Sequence, residues 1–180
     1  MIDPSIELRL QSNWSEVCER VAEAAEAAHR PPSDVRIIGV SKYVDADLTR
    51  ALYELGCQDL GESRPQSLWQ KAESDGLACG PRWHMIGHLQ TNKVRRVLRY
   101  HPIIHSIDSP RLLECITSES VGGETPTEVL LEVNISGDAA KTGLTPDAAR
   151  QLLERFAKGP VRIVGLMAMA GWGTDRSEAE

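Results

Sequence analysis

The apolar positions of this chain follow two alternating patterns, a spacing of three and four residues and short uninterrupted runs. Ile6, Leu10, Trp14, Val17, Val21, Ala24 and Ala28 share the first pattern, which predicts an opening helix with one apolar face. Asp3-Pro4 supplies its N-cap and first-turn proline. His29-Arg30-Pro31-Pro32 ends that helix, and Val35 to Val40 is a run of the second kind, predicting a buried strand. The alternation then repeats. Asp45 caps a helix carrying Leu48, Ala51, Leu52 and Leu55, which Gly56 closes. Further strands are predicted at residues 57–60, 83–86, 103–107, 128–135 and 161–169. Helices are predicted at 65–74, at 92–100, from Ser109-Pro110 to the Gly122-Gly123 break, and from Thr145-Pro146 through Phe156.

Short apolar strands separated by single helices are the signature of parallel βαβ units. The pattern holds about six strands where a closed βα barrel has eight, so the sheet is either open or an unfinished barrel. No Pro/Ser-rich linker, charge block or repeat interrupts residues 1–180, and the chain reads as one domain. In either architecture ligands gather at the carboxyl ends of the strands.

Composition narrows the function classes. Hydrophobic residues make up 41% and charged residues 26%, the range of an ordinary globular protein. A formal net charge of -6 gives no general field for nucleic acid or an anionic membrane. No apolar run approaches the roughly 20 residues needed to span a bilayer, and the N-terminus MIDPSIELRL lacks the pattern of a signal peptide. A cytoplasmic protein with no nucleic-acid or membrane partner is expected. Cys18, Cys57, Cys79 and Cys115 form no CxxC pair and the five histidines no HxH pair, and no metal site is expected. Walker-type and GxSxG motifs are absent as well.

The candidate chemistry therefore lies in the segments after the strands: SKY (41–43), GESRPQ (61–66), IGHLQTNK (86–93), HSIDS (105–109), NISGDAAKTG (134–143) and MAMAGWG (167–173). Strand parity puts Lys42 on the side of Ile38 and Val40, where its stem lies along apolar neighbours. A lysine partly withdrawn from water yields the neutral amine more readily, and a neutral amine attacks aldehydes. That is the requirement for a Schiff-base lysine. Taken singly, these segments also have plainer readings: a snorkelling lysine at 42, a capping or paired Glu62, the polar start of a helix at Gln90 to Lys93, and a hydrogen-bonded core histidine at His84.

Taken together, IIGVSKY, LGESRPQ, RWHMIGHLQTNK, HSIDS, LLEVNISGDAAKTGL and RIVGLMAM resemble, in this order and spacing, the pyridoxal 5'-phosphate homeostasis proteins (the YggS/PROSC family). The resemblance runs from about Val35 to Met169, and WHMIGHLQTNK is its most specific piece. It implies an α/β, TIM-like barrel of the alanine racemase N-terminal type. It also implies pyridoxal 5'-phosphate as cofactor, carried by Lys42 as an imine, with Lys141 as a second lysine near it. Asn134, Glu62, Gln90 and Met167 are implied as further cofactor-site residues. Ser63 and Arg64 depart from the family pattern, whereas Gln66 keeps it.

Family members continue through two more strand–helix units, which include the loop that grips the cofactor phosphate, whereas this sequence ends at Glu180. An incomplete barrel, weak cofactor retention and an exposed sheet edge open to self-association are therefore expected of a family that is monomeric. Racemisation needs acid–base groups on both faces of the substrate carbon, and no additional domain is present to bring the second. A carrier of the cofactor without turnover is the reading. The alternatives are a racemase-like enzyme and a relative that binds no cofactor.

Overall fold

The structure is a computed structural model that describes residues 2–78, 80–136 and 142–169. Its contacts divide the chain into two compact units, with the division between His84 and Met85.

The first unit opens with α1 (Pro4–Ala27), whose N-cap Asp3 accepts from the backbone N–H of Ser5. His29, in the left-handed region at φ 55°, ends the helix before the two prolines. Ala25 is the one buried residue of α1, and none of the predicted apolar face is buried. Val17, Val21, Ala24 and Ala28 instead line, with Val35, an open groove of about 570 Å³. There follow β1 (Ile38–Val40), α2 (Ala46–Glu54), β2 (Asp59–Glu62), α3 (Pro65–Ala72) and β3 (Arg82–Met85), whose last residue is the first of the second unit. β1 and β2 pair in parallel, with Ile38 opposite Asp59 and Val40 opposite Gly61. Gly39 makes the approach of α2 to β1 tight: a Cβ there would stand 2.7 Å from Cys57 Sγ and 2.8 Å from Leu52 Cδ2.

This register corrects two predicted strands. β1 begins at Ile38 because Pro32–Asp34 forms a 3₁₀ turn that Val35 closes. The second strand runs over 59–62 instead of 57–60, which moves Glu62 from the expected loop into the strand itself. Cys57 ends up buried just before β2, its Sγ directed at the Asp59 carbonyl at 3.3 Å, and burial pushes its thiol pKa up.

The plainer reading of His84 holds. The ring is buried, and its Nε2 lies 2.8 Å from Asp59 Oδ1. Arg36 Nε and Arg82 Nη1 approach the same carboxylate oxygen at 3.7 and 3.5 Å. Loss of hydration pushes the His84 pKa below its ordinary value, against the opposing pull of Asp59. The folded state then binds fewer protons than the unfolded chain just below the free-histidine pKa, so stability rises with pH there. Urea unfolding followed between about pH 7.5 and 5.5 should show stability falling as the solution is acidified through about 6.5. His84→Gln should flatten that part of the slope; an unchanged slope would show that the loss arises elsewhere.

The second unit contains α4 (Val94–Val97), β4 (Ile103–Ile107), α5 (Pro110–Glu119), β5 (Thr127–Glu132), α6 (Pro146–Arg155) and β6 (Val161–Met167). β4, β5 and β6 are parallel neighbours, and Ile104, Ile107, Leu113, Ile116, Val129 and Leu131 form its buried centre. The helix predicted over 92–100 is one α-helical turn between two 3₁₀ turns, closed by His101 in the left-handed region at φ 47°. The strand predicted over 128–135 stops at Glu132, because a returning segment takes over the hydrogen bonds beyond it: Leu144 N–H donates to the Glu132 carbonyl at 2.7 Å, and Asn134 N–H donates to the Leu144 carbonyl at 3.0 Å.

Candidate functional site

Lys42 stands in the turn that follows β1. The Val44 N–H donates to the Ser41 carbonyl at 3.1 Å, closing a four-residue turn that takes Lys42 out of the strand direction. Its side chain is consequently exposed, with Nζ 5.0 Å from the centre of the Tyr43 ring. The expected shelter along Ile38 and Val40 is not there, since Val40 is itself 52% exposed and the turn intervenes. Ser41, one residue earlier, is buried.

Directly beside that turn lies a buried polar cluster. Glu62, at the carboxyl end of β2, is fully buried. Its Oε1 accepts from Lys71 Nζ at 2.5 Å and from Ser41 Oγ at 2.8 Å, and Lys71 Nζ also donates to the Ser41 carbonyl at 2.7 Å. Glu62 Oε2 has no hydrogen-bond partner among the described residues. A buried charge is tolerable only when it is paired, and Lys71, itself buried in the last turn of α3, supplies the pairing. The first unit thus brings together two of the expected residues, Lys42 through its neighbour Ser41 and Glu62 directly. Lys71 escaped the sequence reading. Its one signal was position: it follows Leu68 by three residues, at the edge of the apolar stripe of α3.

In the second unit, Gln90 is exposed just before the 3₁₀ turn Thr91–Lys93 and makes no capping hydrogen bond with its side chain. The same segment is tied down through other residues: His88 Nδ1 lies 3.0 Å from Asp108 Oδ2, and Ser106 Oγ donates to the Gly87 carbonyl at 2.6 Å. Asn134 follows Val133, whose backbone N–H donates to the Met167 carbonyl at 2.8 Å. Asn134 Oδ1 accepts from the Ser136 N–H at 3.2 Å and the Ser136 hydroxyl at 2.9 Å. Gly143, at φ 114°, lets the returning chain lie flat against this point, where a Cβ would stand 2.8 Å from Asn134 N. Thr142 Oγ1 donates to Glu132 Oε1 at 2.9 Å and secures the same return. Lys141 lies outside the described residues. No group of three metal-ligating side chains occurs among the described residues.

The family described as alanine racemase, N-terminal domain, matches residues 10–179. A pyridoxal phosphate homeostasis protein of Pseudomonas aeruginosa is 35% identical over 162 residues, which are 89% of this chain and 70% of that protein. The chain belongs to the pyridoxal phosphate homeostasis family. Among solved structures, a Bifidobacterium adolescentis protein superposes with a TM-score of 0.88 at 30% identity, covering 99% of this chain and 76% of that one. PipY of Synechococcus elongatus, solved with PLP bound, superposes with a TM-score of 0.75 at 31% identity over 88% of this chain and 74% of that one. Alanine racemase from E. faecalis, at 13% identity and a TM-score of 0.65, shares the fold alone. The fold of the family is accordingly the α/β, TIM-like fold of the alanine racemase N-terminal domain, to which the six described strands belong.

Proposed function

We propose that this chain binds pyridoxal 5'-phosphate through Lys42 and carries it without catalytic turnover. The observation that carries the reading is the placement of Lys42: a primary amine open to solvent, in a turn at the carboxyl end of β1, in a chain 31% identical to a relative solved with PLP bound. When bound, the cofactor would supply an aldehyde, and Lys42 Nζ would be the amine that holds it. The turn offers such a ligand one accessible amine, while the carboxylate beside it is buried. Asn134, Gln90, Met167 and Lys141 are proposed as further cofactor contacts on the strength of the family resemblance.

Absence of turnover is supported by the state of Glu62. A carboxylate that exchanges protons with a substrate must be able to reach it, whereas Glu62 is fully buried and its Oε1 is engaged by both Lys71 and Ser41. A racemase-like activity would have to draw its acid and base from elsewhere.

The chain has five lysines, Lys42, Lys71, Lys93, Lys141 and Lys158, so covalent labelling can be resolved residue by residue. Adding pyridoxal 5'-phosphate should produce an imine absorbance band, and borohydride should then fix the label on the Lys42 peptide. Incubation with common amino acids should give racemisation and transamination no faster than the free cofactor does. Label spread evenly over Lys93, Lys141 and Lys158 would refute the binding site, and protein-dependent turnover that requires Lys42 would replace the carrier reading with an enzymatic one.

A further inference from the structure

The buried cluster beneath Lys42 is not itself accounted for by a bond between Lys42 and the cofactor. The carbonyl of Ser41 belongs to the peptide that links Ser41 to Lys42. It accepts two hydrogen bonds, one from the Val44 N–H that closes the turn and one from Lys71 Nζ. The Ser41 N–H continues the β1–β2 ladder by donating to the Gly61 carbonyl at 2.9 Å. Its hydroxyl shares Glu62 Oε1 with the same lysine. Ser41 is therefore held at its N–H, its carbonyl and its hydroxyl, and two of these three attachments run to the Lys71–Glu62 pair.

We propose that Lys71 is a positioning residue for Lys42: with Glu62 it clamps the Ser41–Lys42 peptide and so sets the direction in which the Lys42 side chain leaves β1. The proposal rests on the reading of Lys42 as the cofactor lysine. A lysine suits the task because its single ammonium directs separate donors to the Glu62 carboxylate and the Ser41 carbonyl from below the turn. Burial keeps water from competing for either acceptor, and the charge on the donor strengthens both bonds. The same burial and pairing leave the Lys71 amine out of reach of an aldehyde, so the clamp and the attachment point are distinct lysines.

The test uses the full chain and four proteins: the unsubstituted protein, Lys71→Met, Lys71→Arg and the double variant Glu62→Leu/Lys71→Met. The double variant removes the carboxylate that Lys71→Met would strand, so it keeps the proposal testable even if the single variant folds poorly. Two readouts are taken, hydrogen exchange at the Val44 amide without cofactor, and the share of borohydride-fixed pyridoxal 5'-phosphate found on Lys42. In the folded double variant the Val44 amide should lose protection. The labelling preference for Lys42 over Lys93 and Lys158 should also fall about ten-fold or more, the scale on which small misplacements of a reacting group act. Lys71→Arg, which keeps the charge and donors, should recover part of both. Unchanged Val44 exchange together with unchanged selectivity in the folded variants would overturn the clamp while leaving the Lys42 reading intact. Label that avoids Lys42 in the unsubstituted protein would overturn the Lys42 reading and, with it, the positioning role.

Discussion

Lys42→Ala is expected to abolish the cofactor imine band and the specific borohydride label. The side chain it removes is exposed in the turn after β1, so its loss opens no cavity and strands no buried partner. Stability should therefore stay within about 0.5 kcal/mol of the parent, and the effect on binding can be read without correction for unfolding. Residual label should be weak and divided among other lysines, with Lys71 excluded because its amine is buried against Glu62 and the Ser41 carbonyl. Absorbance titration and peptide mapping check this directly. A full equivalent of label that persists in the variant, on any one lysine, would remove Lys42 from the site.

Lys71→Met should have the largest effect on stability. Glu62 is fully buried, and without the ammonium its Oε1 keeps only the Ser41 hydroxyl while Oε2 has no partner among the described residues. Breaking one side of a buried ion pair costs about 3–5 kcal/mol because a charge is left desolvated and uncompensated. That is a large share of the total stability of about 5–15 kcal/mol typical of a folded protein. At about 2–4 °C per kcal/mol, the midpoint of thermal unfolding should drop by about 6–20 °C. The double variant Glu62→Leu/Lys71→Met should recover most of the loss, since removing both charges also removes the desolvation cost. Additive losses in the double variant would show that the two side chains contribute independently and that the pair is not the source of the penalty.

Much of the fold was legible because its signals are local. Asp45 accepts from the Leu48 N–H at 2.9 Å, and Thr145 accepts from the Ala148 N–H at 3.2 Å, both where the sequence placed caps. A cap acts within a single turn, so residue type and spacing suffice to find it. Strand ends were less legible. The residues around Cys57 to Glu62 carry no mark of where pairing begins; the contact of Ile38 with Asp59 decides it. The end of β5 likewise depends on the return of Leu144 to Glu132, which Gly143 allows.

For the site, the sequence by itself determined the order of strands and helices, the positions of the helix caps and the presence of a lysine just after the first strand, because periodicity and capping are properties of neighbouring residues. Only the tertiary structure decided what surrounds that lysine. Ser41, Glu62 and Lys71 are separated by 21, 9 and 30 positions in their three pairings, as are Asp59 and His84 by 25. No spacing rule links residues so far apart. The turn at Ser41–Val44 lifts Lys42 into solvent, and parallel pairing of β1 with β2 brings Glu62 beneath Ser41. A buried carboxylate must then find a cation, and the packing of α3 decides that the cation is Lys71.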